Sequence, residues 1–218
     1  MKRAILKASG WLALGSVGLV GLVGLAHTPW GRALLTVLPS APGCPIQDLG
    51  PQELETRRIA WVRPRAGTSP SPARPALGFE LGVSRKRDVQ AWLDRHGATC
   101  SSARNETALA CKMPDDAYFQ FDPQGRLVAV DVLRAPRSAV EALALLGDVE
   151  HDLSNKLGAA TSSRGQRSAA FLASQPYQQL ALEYRYTDYV GRVAATNLGS
   201  RGLRVREQYQ WLPSKSGA

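Results

Sequence analysis

Two stretches near the C-terminus alternate between apolar and polar residues. In 180–186, Leu180, Leu182, Tyr184 and Tyr186 fall on one parity and Ala181, Glu183 and Arg185 on the other. In 203–211, Leu203, Val205, Tyr209 and Trp211 oppose Arg204, Arg206, Gln208 and Gln210. Successive side chains of a strand point to opposite faces, so such runs bury one face and wet the other. Parallel sheets are covered on both sides and read as continuous apolar runs. The alternation therefore commits the chain to antiparallel sheet with one solvated face.

Helices precede the strands. Residues 85–96 put Val89, Trp92, Leu93 and His96 on one face, with Ser84 as the expected cap and Gly97 as the stop. Strands are expected near 77–81, 108–113, 118–121 and 127–133. The last two are joined by the turn Asp122-Pro123-Gln124-Gly125, where Pro presets φ and Gly accepts positive φ. A second helix opens on the capping box Ser138-Ala139-Val140-Glu141 and closes at Gly158. A polar loop at 161–168 follows, then strands near 169–173, 180–186, 190–197 and 203–211. Helix then antiparallel strands thus occurs twice, over 84–134 and 138–211. The expected fold is α+β: two helix-plus-antiparallel-meander units with their helices packed on one face of a sheet. This domain should span 76–212, with 213–218 a disordered tail.

Upstream lies a different kind of segment. Residues 8–26 are apolar or small, and no charged residue falls between Lys7 and Arg32. As a helix the run would be about 28 Å long, close to a bilayer's hydrocarbon core. Trp11 and Trp30 would mark its interfaces, and Lys2, Arg3 and Lys7 would hold Met1 in the cytoplasm. Residues 1–31 are therefore read as a single transmembrane anchor. The alternative is a signal sequence cleaved after Ala26, at Gly24-Leu25-Ala26. Either way the domain is exported: periplasmic on an inner-membrane anchor, or secreted. Residues 32–75 are read as an interfacial helix, a short helix over 51–62 ending in a strand at 59–62, and a Pro-rich linker.

The formal charge of +9, from 27 basic and 18 acidic residues, suggests an acidic partner such as nucleic acid. Its location argues otherwise. Residues 88–218 hold 15 basic and 14 acidic residues, so the expected domain is almost neutral. The excess sits on the N-terminal signal and on a basic tether containing Arg57, Arg58, Arg63, Arg65, Arg85, Lys86 and Arg87. That placement suits a membrane surface and excludes a nucleic-acid footprint.

Export also places the three cysteines where disulfides persist. Cys100 and Cys111 flank a polar hairpin-like loop and are the favoured pair. Two other pairings are possible on sequence alone. Cys44 is left over and is a candidate for an intermolecular bridge.

The stretch "LGVSRKRDVQAWLDRHG" leading to "YFQFDPQGRLVAVDVLR" resembles the small α/β domain of SmpA/OmlA (BamE-type) outer-membrane assembly lipoproteins. The match over 78–134 rests on Gly82, Ser84, Val89, Phe121, Gly125 and Val128. The family's lipobox is absent after the apolar segment, and the cysteine pair stands where the family has an ordinary loop. The first 45 residues resemble the anchor of AsmA/TamB-type inner-membrane proteins. These resemblances imply a membrane-tethered periplasmic body and envelope partners.

Catalytic signatures are missing. There is no GxSxG, HExxH, SxxK, P-loop or GxGxxG motif, and Glu150-His151-Asp152 points three ways around one helix. No CxxC or clustered histidine suggests a metal, and Asp115-Asp116 lacks the further oxygen ligands of a calcium loop. No catalytic residue, metal or cofactor is expected. The best candidate surface is the polar sheet face of Glu183, Arg185, Arg204, Arg206, Gln208 and Gln210. It suits an envelope protein, a lipid headgroup or a glycan. The expected function is a membrane-tethered extracytoplasmic interaction or envelope-assembly module. The alternative is an exported hydrolase whose carboxylates meet only in the fold.

Overall fold

The computed structural model describes residues 49–103 and 106–213. The expected anchor, the interfacial segment and Cys44 lie outside them, as do 104–105 and 214–218. Among the described residues no helix is long and apolar enough to cross a membrane.

Eight antiparallel strands form one sheet. The first unit is helix α1 (Lys86–Arg95) followed by β1 (Thr99–Ala103), β2 (Ala108–Lys112), β3 (Asp116–Phe121) and β4 (Leu127–Arg134). The second is helix α2 (Ala139–Leu157), β5 (Ser162–Arg164), a short helix α3 (Ala169–Ser174), β6 (Gln179–Arg185), β7 (Tyr189–Asn197) and β8 (Leu203–Trp211). The strand order is β1-β2-β3-β4-β8-β7-β6-β5. Each unit is a meander, and the two meanders join through their final strands, β4 and β8, in antiparallel register from Val205↔Arg134 to Gln210↔Ala129. The expected α+β class and doubled antiparallel architecture are present.

One sheet face is covered. Phe119, Val130, Val132, Leu182, Tyr184 and Val205 pack with Val89 and Leu93 of α1 and with Leu146 and Leu153 of α2 in a single buried cluster. Helix α2 starts at its expected cap. Ser138 Oγ accepts from the Glu141 amide at 3.1 Å, while Glu141 reaches back to the Arg137 amide at 2.7 Å. The cap of α1 falls at Arg85, whose amide donates to Asp88 Oδ2 at 2.9 Å, one residue later than the expected Ser84. The Asp122–Gly125 turn forms as read, with Asp122 Oδ1 accepting from the amides of Gln124 and Arg126.

The opposite face is crossed at one end by a further helix, αN (Pro51–Val62), continued by a single 3-10 turn at Arg63–Arg65. The strand expected at 59–62 is instead the last turn of αN, because a helix begun at Pro51 carries Ile59 and Val62 onto Val190 and Leu212. The Pro-rich segment is also part of the folded unit, which starts at Leu49. Gly67 donates its amide to the Tyr186 carbonyl at 3.1 Å, and Thr187 donates to the Ser69 carbonyl at 2.8 Å. The Ser71 amide reaches Asp188 Oδ1 at 2.8 Å, so the segment is laid along the β6–β7 turn. Only two-residue strands, Pro75–Ala76 and Phe79–Glu80, form where one strand was expected over 77–81. Residues 169–173, expected as a strand, are α3, whose Ser168 cap accepts from the Phe171 amide at 3.0 Å.

Candidate functional site

The outward parity of β6, β7 and β8 carries polar side chains where αN does not cover it, and apolar Val190 where it does. All six residues of the expected surface lie on this outer face. Glu183 and Arg185 come from β6, and Arg204, Arg206, Gln208 and Gln210 from β8. Strand β7 runs between them and adds Arg192, which pairs with Glu183 on one side and Gln208 on the other. The structure divides the six. Glu183, Arg185, Gln208 and Gln210 gather around Arg192, whereas Arg206 turns to β4 and Arg204 hydrogen-bonds the Leu203 carbonyl at 2.7 Å.

The gathered group forms the floor of a 430 Å³ groove. Trp61, Val62 and Arg65, from αN and its 3-10 turn, make one wall, and Ser162, Ser163 and Arg164 of edge strand β5 make the other. Arg65 lies over the Trp61 ring, 5.2 Å from its centroid. Arg192 Nη2 donates to Gln179 Oε1 at 2.8 Å, and its buried Nε lies 3.7 Å from Glu183 Oε1. Arg185 bonds the other Glu183 oxygen, and Ser162 Oγ adds a 3.3 Å contact there. One carboxylate thus serves two guanidiniums, leaving the groove with four arginines against one acid. Such an excess in a recessed site raises the local concentration of anions.

A second hollow lies across the seam on the same face, 710 Å³ in volume, bounded by Ser101, Lys112, Tyr118, Asp131, Leu133 and Arg206. Asp131 grips Arg206 with both oxygens, at 2.9 and 2.5 Å, and takes a 3.2 Å bond from Gln208. These bonds keep the Arg206 guanidinium still more firmly protonated than usual. Lys112 is tied to Asp116 at 2.6 Å, so this hollow is charge-balanced where the groove is basic.

The basic tether is not one surface. Arg58 is buried, bonding Glu55, Gln210 Oε1 at 3.0 Å and the Trp211 carbonyl at 2.8 Å, and so it seats αN. Arg57 pairs with Glu53, and Arg63 donates to the Pro213 carbonyl. Arg85, Lys86 and Arg87 sit at the start of α1, where Arg85 bonds the Gln124 carbonyl and Lys86 the Glu106 carbonyl. Of the seven, only Arg65 faces the groove.

Cys100 and Cys111 form a disulfide between facing residues of β1 and β2. On the helix-covered side of the sheet, carboxylates gather in one cleft. Asp148, Asp152 and Glu207 line a 220 Å³ cleft together with Arg134 and Tyr209. Glu207, which the alternation reading passed over, is 2% exposed. One of its oxygens accepts from Arg134 and the other from the Tyr209 hydroxyl at 2.6 Å. Among the described residues no group of His, Cys, Asp and Glu is arranged to hold a metal ion.

Comparison of the chain with protein-family models, with curated proteins and with solved structures gives no match.

Proposed function

We propose that this chain is a membrane-tethered extracytoplasmic interaction or envelope-assembly module, and that the outer face of its sheet receives the partner. The carrying observation is that face itself. It spans all eight strands, is crossed by αN at one end, and presents a basic groove beside a charge-balanced hollow. The apolar run at 8–26 with its flanking cations, and a disulfide suited to an oxidising compartment, support the tethered and exported placement. The resemblance of 78–134 to BamE-type domains agrees with an envelope role. The test is site-specific photocrosslinking in whole cells from position 208 on the outer face, with position 140, an exposed site on α2, as control. Reproducible envelope partners captured from 208 and not from 140 are expected. Equal capture from both positions refutes the surface assignment.

A second reading, an exported hydrolase, draws on the cleft of Asp148, Asp152 and Glu207. Its Glu207 already holds a guanidinium and a phenol, which favours an architectural anion over a general acid or base. Turnover of an ester, amide or glycoside by the purified chain, abolished in Asp152→Asn, would establish it.

A further inference from the structure

The groove under αN brings together an exposed indole and an excess of guanidinium. We propose that it binds an acidic saccharide, with a sugar ring against Trp61 and the anionic substituent held by Arg185 and Arg65. This deepens the reading of the outer face as a binding surface, and rests on it.

Trp61 is 70% exposed at the groove rim although its neighbours Ile59 and Val62 are packed down. A large amphipathic ring left in water beside a polar recess is the usual platform of a binding site, offering contact area at small entropic cost. The floor below it is polar. The Gln210 amide nitrogen and Gln208 carbonyl oxygen are not used in the bonds to Arg58 and Asp131, so they are available to hydroxyls. Ser163 adds a hydroxyl on the far wall. The only apolar floor side chains are Ala181 and Val190, too little to hold an acyl chain or an apolar peptide anchor. Glu183 neutralises only part of the arginine charge, and planar guanidinium forks match carboxylate and phosphate oxygens bidentately.

The charge is local. Arg206, the next cation along the face, is neutralised by Asp131, so among the described residues the basic groove does not extend into a stripe for a long polyanion. The 430 Å³ volume falls within the range of about 300–1,000 Å³ typical of small-ligand sites.

The test applies the purified full-length chain to an immobilised panel of uronic-acid, sialic-acid and phosphosugar oligosaccharides beside their neutral counterparts. Inorganic phosphate serves as a soluble competitor. Binding to at least one acidic class is expected, about tenfold or more above its neutral counterpart. Trp61→Ala and Arg185→Gln should each weaken it by about tenfold, while Arg206→Gln stays within about twofold. Thermal melts of each variant check that the fold persists. Equal binding of neutral sugars, no acidic binder, or indifference to Trp61→Ala overturns the proposal. So does competition by phosphate at the saccharide's own affinity, which would mark a bare anion site. Crosslinking from position 208 reads captured envelope protein and the panel reads bound sugar, so failure here leaves the interaction-module reading separately decidable.

Discussion

Arg134 and Glu207 meet inside the protein across the β4–β8 seam, Nη2 to Oε1 at 2.8 Å, with Glu207 the more deeply buried partner. An ion pair there replaces what the alternation would otherwise fill with an apolar side chain. Removing Arg134 leaves the Glu207 charge without its counterion in a low-dielectric interior. Arg134→Met should therefore destabilise the fold by about 3–5 kcal/mol. The double variant Arg134→Met/Glu207→Leu should recover most of that loss. Urea unfolding measures both, and equal losses in the single and double variants would show that the pair's charges are not what matters.

Burial raises the Tyr189 and Tyr209 hydroxyls well above their ordinary value of 10.0, and the Glu207 charge adds to the effect at both. The neutral phenols are thus favoured in the folded state. Their contribution is complete below about pH 10, where the unfolded chain's tyrosines are also protonated, and is lost as pH rises toward the folded values. Stability should accordingly decline above about pH 10. Tyrosinate absorbance from these two residues should appear together with loss of near-UV dichroism. Their ionisation in a chain that keeps its tertiary signal would contradict this.

The Cys100–Cys111 bridge pins edge strand β1 to β2. It closes a loop of about a dozen residues, so its reduction should cost about 2–3 kcal/mol. Amide exchange should accelerate in β1 before it does in β3 or β4. A reduced protein with unchanged exchange in β1 would show that pairing alone holds the edge.

A Cβ at position 67 would sit 2.1 Å from the Arg185 carbonyl oxygen. Gly67→Ala should push the Pro-rich segment off the β6–β7 turn, at a cost of about 1–3 kcal/mol. Limited proteolysis should then cut within 66–73, where the parent chain resists. Unchanged resistance would mean that the backbone shifts to admit the methyl group.

Arg58 seats αN on the outer face. Arg58→Met keeps the aliphatic stem but loses the bonds to Gln210 and the Trp211 carbonyl. It should speed amide exchange across αN (Pro51–Val62) while exchange in β7 and β8 stays slow. Unchanged exchange in αN would show that Val62 and Ile59 suffice.

The parts legible in the sequence are those whose period reports burial. The outer parity of 180–186 and 203–211 put all six surface residues on the right face; the second helix starts at its expected cap Ser138, and both helices stop at their expected glycines, Gly97 and Gly158. Arg192 escaped because β7 carries small outer residues, Ala194 and Thr196, that blur its alternation. Glu207 was detectable as the single charge on the apolar parity of 203–211, a break that marks a buried partner. Edge strands β1 and β5 are serine-rich and exposed, so they carry no apolar signal at all. The 169–173 run reads as a strand by composition, but the Ser168 cap decided for a helix. Trp61 and Arg65 join the groove only through tertiary packing of αN, which no local pattern announces.

The seam also fixes an order of events during synthesis. Every pairing in the sheet but one joins sequence neighbours, so each meander can assemble from successive hairpins with short loop closures. The free edge of strand β4, Leu127–Arg134, must wait for β8, Leu203–Trp211. Until then its run of valines is an open edge with unpaired amides and carbonyls, the kind of template on which chains join one another. A nascent chain stalled before residue 203 would consequently be the aggregation-prone species, and arrival of β8 is what protects the first meander.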